Sequence, residues 1–377
     1  MNEPGTQGVP DASGPSPAHQ GGQSDHPAIA DRDRYVSTYT ALSQQIRAAG
    51  LLERRYGYYW SAFAITTLLF AAIWVAFAFV GNSWFQLALA AVLAVVLTQF
   101  GFLGHDAAHR QIFASHRWSV WASMVVSGLF TGLSYGWWLS KHNRHHANPN
   151  KEGADPDVGA GAFAFTPAAV QTRKRRLTAW LTARQGYYFF PLLLLEGLAL
   201  HIASIQTIMR RNALAHRWWE AAFIAIRLGG YITVLLIVLP PSKAAAFVGV
   251  QMGVFGLLLG GSFAPNHIGM PIVAPDEKID FLHRQVLMSR NIRGGWPMDI
   301  ALGGLNHQIE HHLFPNMPRP NLRRARAIVR GYCDQRQITY TETGLMSAYR
   351  VAVRYLNAVG RGAADPFRCP LATRLRA

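Results

Sequence analysis

Cysteine is nearly absent: Cys333 and Cys369 are the only two in 377 residues, and no CxxC spacing occurs. That excludes a disulfide framework or a thiolate metal site as the organising feature. Charge is scarce as well, at 15% of residues, against roughly 25% in an ordinary soluble domain. Acidic side chains are in deficit, 20 Asp and Glu against 36 Lys and Arg, which gives a net charge of +16. A nucleic-acid binder can share this imbalance, but its basic residues form a patch on a polar fold. Here they collect between long apolar runs, so no nucleic-acid partner is expected. Residues 1–34 have neither a basic start nor an apolar core and are no signal peptide. Their Gly, Pro, Ser and polar content predicts a disordered tail, and the basic end 361–377 is expected to be loose as well.

What the chain does have is apolar surface. Half its residues are hydrophobic, and five stretches, 58–80, 84–104, 188–209, 219–240 and 244–265, approach the length of a membrane span, about 20 residues. "GNS" joins the first two and "LPPSK" the last two, so each pair predicts a helical hairpin. Lys and Arg mark cytoplasmic segments. Arg54 and Arg55 precede the first run, and Arg110, Arg117, Lys141, Arg144 and Arg173 to Arg176 follow the second. Arg210, Arg211 and Arg217 precede the fourth run. If 188–209 also crossed, its two flanks could not both be cytoplasmic, and Glu196 and His201 would lie at costly depth. It is therefore expected to be interfacial or re-entrant, and 118–130 to be a shorter interfacial segment. Arg227, inside the fourth run, is expected to snorkel to the cytoplasmic face. The predicted fold is all-α and integral to the membrane: four spans in two hairpins, both termini inside, and a helical cap within one domain over 35–360.

Fifteen histidines occur, most of them clustered. "GHDAAH" places His105 and His109 at i and i+4. "KHNRHH" places His142, His145 and His146 at i, i+3 and i+4. "NHQIEHH" carries His307, Gln308, Glu310, His311 and His312. On a helix such spacings share one face. A lone HxxxH is common by chance, and a lone His267 just past the last span is ordinarily a hydrogen-bonded interfacial residue. All three clusters on one side of a membrane protein are another matter. Unliganded buried imidazoles are poorly satisfied, and protonating them sets like charges together. A bound metal removes both difficulties. Imidazole alone does not choose among Zn, Cu, Fe and Ni. One zinc takes three or four protein ligands, whereas about eight histidines and Gln308 are on offer, a supply that fits two ions of higher coordination number. Soluble di-iron bundles use a Glu-x-x-His pair, and this chain has none.

At these residues the sequence resembles the membrane fatty acid desaturases, whose three boxes take the forms HxxxH, HxxHH and H/QxxHH. Here they read "HDAAH" (105–109), "HNRHH" (142–146) and "QIEHH" (308–312). The phrase "GGLNHQIEHHLFPNMPRPNL" is similar to the branch with glutamine in the third box, which holds front-end desaturases and actinobacterial acyl-CoA desaturases. The resemblance covers roughly residues 35–360. It implies a di-iron centre that uses O2 to remove two hydrogens from adjacent methylenes of an acyl chain carried by CoA or a lipid. The implied ligands are His105, His109, His142, His145, His146, His267, Gln308, His311 and His312, with His307 beside them as a neighbour. Asp106, Glu310, Asp155 and Asp157 are candidates to orient ring N–H groups, or else solvated carboxylates. The aromatic run "YGWW" (135–138) is a candidate tunnel wall or interfacial belt. Some relatives carry a cytochrome domain marked HPGG, and this chain reads "HPAI" at 26–29. Electrons are therefore expected from a ferredoxin, a cytochrome or an NAD(P)H reductase. The expected location is a bacterial cell membrane with the site facing the cytoplasm. The alternative is a lipid or carotenoid hydroxylase or ketolase with the same histidine chemistry. A haem carrier would place its histidines within the spans, and a transporter would carry ionisable groups at the midplane.

Overall fold

Where long apolar runs leave water, the backbone satisfies its N–H and C=O groups most simply within the segment, as helix. The computed structural model describes residues 27–159, 161–210 and 214–362. In chain order, α1 (Pro27–Ala48) leads to α2 (Tyr56–Val80), α3 (Gln86–Ala108) and α4 (His116–Met124), which continues as a π-helical turn, Val125–Thr131. Next come α5 (Tyr135–Ala147), α6 (Pro167–Gln171), α7 (Arg176–Thr182), α8 (Phe189–Met209), α9 (Arg217–Val238) and α10 (Pro241–His267). The last third holds α11 (Phe281–Leu287), α12 (Trp296–Ala301), α13 (Gln308–Leu313), α14 (Arg319–Gln335) and α15 (Leu345–Gly360). The expected helical class holds among the described residues, save for a two-residue parallel pair, β1 (Asn291–Ile292) with β2 (Glu342–Thr343). Of the expected tail 1–34, residues 1–26 lie outside the described set and α1 begins at Pro27; of 361–377, residues 363–377 lie outside it.

Five helices, α2, α3, α8, α9 and α10, are long and apolar enough to cross a membrane. The apolar window of α3 is 56% buried against 17% for α2 and α9, so α3 is central and those two face outward. Phe77, Leu93, Leu97, Tyr231, Phe247 and Phe255 fill the core between them. The two hairpin turns touch each other, because Lys243 donates to the Asn82 side chain at 2.8 Å and lies over Trp84. Both turns therefore sit at one end of the bundle.

α8 packs on α10 where both are bare backbone. A Cβ on Gly197 would stand 2.6 Å from the Met252 carbonyl, and one on Gly256 would stand 2.5 Å from the Gly197 nitrogen. Small residues let helices approach this closely in a membrane. The same helix also touches α5, since Ser204 Oγ accepts from the Ser134 N–H just before it, at 3.0 Å. His201 is buried, its ring nitrogens 2.7 Å and 3.1 Å from the carbonyls of Gly197 and Thr131. The segment 118–130 is α4 plus the π-helical turn. Arg227 does not reach outward as expected: it is buried, donates to the Phe130 carbonyl at 2.7 Å and lies over Tyr231. Phe130 lies in the last turn of that helix, where carbonyls lack an intrahelical partner, so it offers the guanidinium a partner nearer than water.

At the other end, α1, α11, α13 and α14 bury Leu42, Ile46, Leu313, Phe314, Val329 and Tyr332 in a second core. Pro265 in α10 lacks the N–H that the Gly261 carbonyl would take. The Tyr349 hydroxyl donates to that carbonyl at 2.7 Å instead. Arg290, buried with no carboxylate partner among the described residues, donates to the carbonyls of Pro265 and Ile268. Cationic donors suit exposed carbonyls at a helix C-terminus, and here they anchor the turn that carries His267.

Candidate metal centre

Each histidine cluster is presented by a helix whose geometry follows from local chemistry. α3 ends at Ala108, so His105 lies on its last turn and His109 caps it, with ring centroids 4.6 Å apart. α5 is capped by Ser134, whose Oγ accepts from the Trp137 N–H at 3.2 Å. The Glu220 carboxylate on α9 accepts from the Ser134 hydroxyl at 2.6 Å and from the Gly136 N–H at 3.2 Å. A buried carboxylate at a helix N-terminus satisfies free N–H groups and suits the dipole. α13 is entered through Gly303 and Gly304, at φ +59° and +80°. A Cβ on Gly303 would stand 2.2 Å from the Phe102 ring. That glycine pair is what lets the third box reach the end of α3.

The three boxes and the end of α10 converge. His142 Nε2 stands 2.9 Å from His109 Nε2 and 3.0 Å from His146 Nε2. His146 Nε2 stands 3.1 Å from His311 Nε2. His267 Nε2 lies 3.3 Å from His145 Nε2 and 3.0 Å from the Gln308 amide nitrogen. His145 groups with Asp155 and Asp157, and two all-histidine groups of possible ligand atoms result: His105, His109, His142 and His311; and His145, His267 and His312. His146 bridges them, in contact with His142 and stacked on His312 at 4.3 Å. Trp138 stacks on His142 at 4.3 Å, which puts the end of "YGWW" against the site.

The donor set fits metal ions for a reason visible in the protons. Four rings have an acceptor at Nδ1: His105 has Asp106 (3.3 Å), His145 has Asp155 (3.0 Å), His267 has the Met288 carbonyl (3.1 Å) and His312 has Gln285 Oε1 (2.9 Å). In a neutral ring the proton then sits on Nδ1, and Nε2 keeps a bare lone pair. His145 and His267 thus point lone pairs at each other. His105 Nε2 and His312 Nε2 are buried with no hydrogen-bond partner among the described residues. Burial, reinforced by the neighbouring imidazoles, holds His109, His142, His146, His311 and His312 well below the usual imidazole range. Burial also opposes charge on His145, but Asp155 outweighs it and raises that ring. Buried, neutral and converging nitrogens are ligands in their binding form.

The carboxylates divide. Asp106 also makes a buried ion pair with Arg319 at 2.7 Å, and the Arg319 backbone N–H donates to Tyr59 Oη at 3.0 Å. Asp155 is held by the N–H groups of Asn150 (2.8 Å) and Asp157 (2.9 Å). Asp157 lies 3.4 Å from His145 Nδ1 and pairs with Lys141 at 2.8 Å. Glu310 corrects the expectation that it orients a ring: its oxygens accept from Tyr340 Oη and the Asn291 amide, both at 2.7 Å. One step before His311 on a helix is about 100° around the axis, so Glu310 faces away from the imidazoles. His307 turns from the cluster too, with Nε2 3.1 Å from Asp299. Sequence reasoning missed Gln285, Glu220, Arg290 and Arg319, because no spacing links them to a box; only their contacts do.

Comparison with known proteins agrees with this geometry. The fatty acid desaturase profile matches residues 82–344, most of the chain and all three boxes. The chain belongs to the fatty acid desaturase family. Three of the similar proteins are a delta-6 fatty-acid desaturase of Caenorhabditis elegans, a delta-8 fatty-acid desaturase of Helianthus annuus and a delta-8-(E)-sphingolipid desaturase of Kluyveromyces lactis. The first is 29% identical over 87% of this chain and 76% of its own length. The second is 27% identical over 87% and 74%. The third is 26% identical over 90% and 62%. This desaturase is thus an oxidoreductase, with apolar helices of membrane-spanning length and histidine clusters able to hold metal.

Proposed function

We propose that the protein introduces a cis double bond into a fatty acyl chain, carried by CoA or a lipid, using O2 and electrons from a ferredoxin, a cytochrome or an NAD(P)H reductase. The reaction consumes one O2, two electrons and two protons, and releases two waters as two C–H bonds become one C=C bond. The observation that carries this reading is the convergence of buried Nε2 atoms into two adjoining groups. Two non-haem irons would be held by His105, His109, His142, His145, His146, His267, His311 and His312. Gln308 would stand beside His267, and bound iron would supply the oxidising power for C–H cleavage. The chain's own part is to orient and to exclude water. Asp106, Asp155, Gln285 and the Met288 carbonyl keep four rings in the right tautomer, while Trp138 and Phe263 wall the site with apolar surface.

We further propose four spans, α2, α3, α9 and α10, with α8 re-entrant from the cytoplasmic side against α10 and the cap and both termini inside. The joined hairpin turns at one end support this topology. So do the contacts of α8 with the start of α5. One domain over 35–360 and a bacterial cell membrane complete the proposal. The test is expression in a host of known fatty-acid content, with mass spectrometry locating any new double bond. A product lighter by two hydrogens and about two irons per chain are expected, both lost in His142→Ala. A hydroxylated product, or zinc alone in protein prepared with iron supplied, would overturn the reading.

A further inference from the structure

From Val158 to Leu195 the chain holds no Asp or Glu but five cations, Arg173, Lys174, Arg175, Arg176 and Arg184. None of the five takes part in an ion pair among the described residues. The same segment lines a half-open cavity of about 380 Å³, walled mainly by Phe163, Leu181, Tyr188, Leu192 and Leu195, with Arg173 also lining it. That volume is within the range of ligand sites, roughly 300–1,000 Å³. Its polar neighbours are already satisfied by the protein. Gln185 exchanges hydrogen bonds with the Ala164 backbone and donates to the Leu356 carbonyl, and Thr182 Oγ1 donates to the Thr178 carbonyl. Arg173 spends three N–H groups on the carbonyls of Gly161 and Ala162 and on Thr182, which leaves two for an outside acceptor. Leu177, Trp180 and Tyr187 are 68%, 48% and 65% exposed around it, and Arg184 lies 4.5 Å over the Trp180 ring.

We propose that this cavity binds one anionic phospholipid: an acyl chain fills the apolar space, and the phosphate is held by Arg173 and the adjoining cations. Exposed aromatic rings beside unpaired Lys and Arg mark headgroup depth on the cytoplasmic side. A surplus of five charges with no acidic partner selects an anionic headgroup over a neutral one. None of the histidines lines the cavity, so the site is separate from the metal centre and does not depend on the identity of the metal.

The full chain, purified in detergent, would be titrated with phosphatidylglycerol or phosphatidylcholine and bound lipid counted by native mass spectrometry. One retained phosphatidylglycerol is expected, bound about tenfold more tightly than phosphatidylcholine. Arg175→Gln with Arg176→Gln should erase that preference. Leu192→Trp, which fills the cavity without changing charge, should abolish retention, and Leu181→Trp should repeat the result. An unchanged iron content and helical signal would show that each variant is folded. Equal binding of the two lipids, retention by both tryptophan variants, or displacement of the lipid by inorganic phosphate would each overturn the proposal.

Discussion

Removing the Arg319 guanidinium should loosen both the fold and the metal centre. Asp106 is 1% exposed and pairs with Arg319, 8% exposed, at 2.7 Å, while its other oxygen faces His105 Nδ1. Arg319→Ala would leave that carboxylate buried against an apolar wall with its cation gone. Breaking a buried pair from one side costs about 3–5 kcal/mol, much of it the unpaired charge. A loss of that size lowers the melting midpoint by roughly 10 °C in a domain of a few hundred residues. Asp106→Asn with Arg319→Met removes the charge and the cation together and keeps an amide acceptor for His105. It should recover more than half of the loss, because the stranded charge is gone. The assay is thermal unfolding of the single and double variants in one detergent, with iron content measured beside it. If Arg319→Ala melts with the parent, or the double variant melts no higher than the single, the pair does not hold α14 to the first box.

The other expectations follow from the same contacts. Asp155→Asn should weaken iron retention about 10–100-fold against a chelator, since the carboxylate that orients His145 becomes an amide. Gly256→Ala should cost about 1–3 kcal/mol in thermal unfolding, because its Cβ would meet the backbone of α8 at 2.5 Å. Five imidazoles lie below their ordinary pKa in the folded chain. A base with a depressed folded pKa binds fewer protons folded than unfolded. Metal-free protein should therefore hold full stability above about pH 6.5 and lose it as the pH falls below that value. Melting midpoints taken from pH 8 to pH 5 that stay flat would contradict this. Glu220→Ala should free the start of α5 and lower iron content, and Glu220→Gln, which keeps an acceptor, should restore part of it; equal iron in all three would refute the capping role.

Much of this arrangement can be read from local spacing. The i, i+3 and i+4 placement of His142, His145 and His146 puts them on one side of any helix they occupy, and the long apolar runs mark the helices of membrane-spanning length. The second layer of contacts cannot be read that way. Gln285 lies 27 residues before His312, and Glu220 lies 86 residues after Ser134. No periodicity connects them. Glu310 shows the converse: its neighbours in sequence suggested a partner for a ring, and the 100° step of the helix turned it to Tyr340.

The order of the residues by itself determined that the chain would be helical, apolar and rich in imidazoles at helix ends, because backbone hydrogen bonding and side-chain periodicity act over a few residues. Which nitrogens meet, which carboxylates hold them and which way Arg227 and Glu310 turn was decided only when α3, α5, α9, α10, α13 and the π-helical turn packed together. Burial strips water from Arg227 and Glu310, so each takes a partner close in space, and that partner is set by the assembled helices.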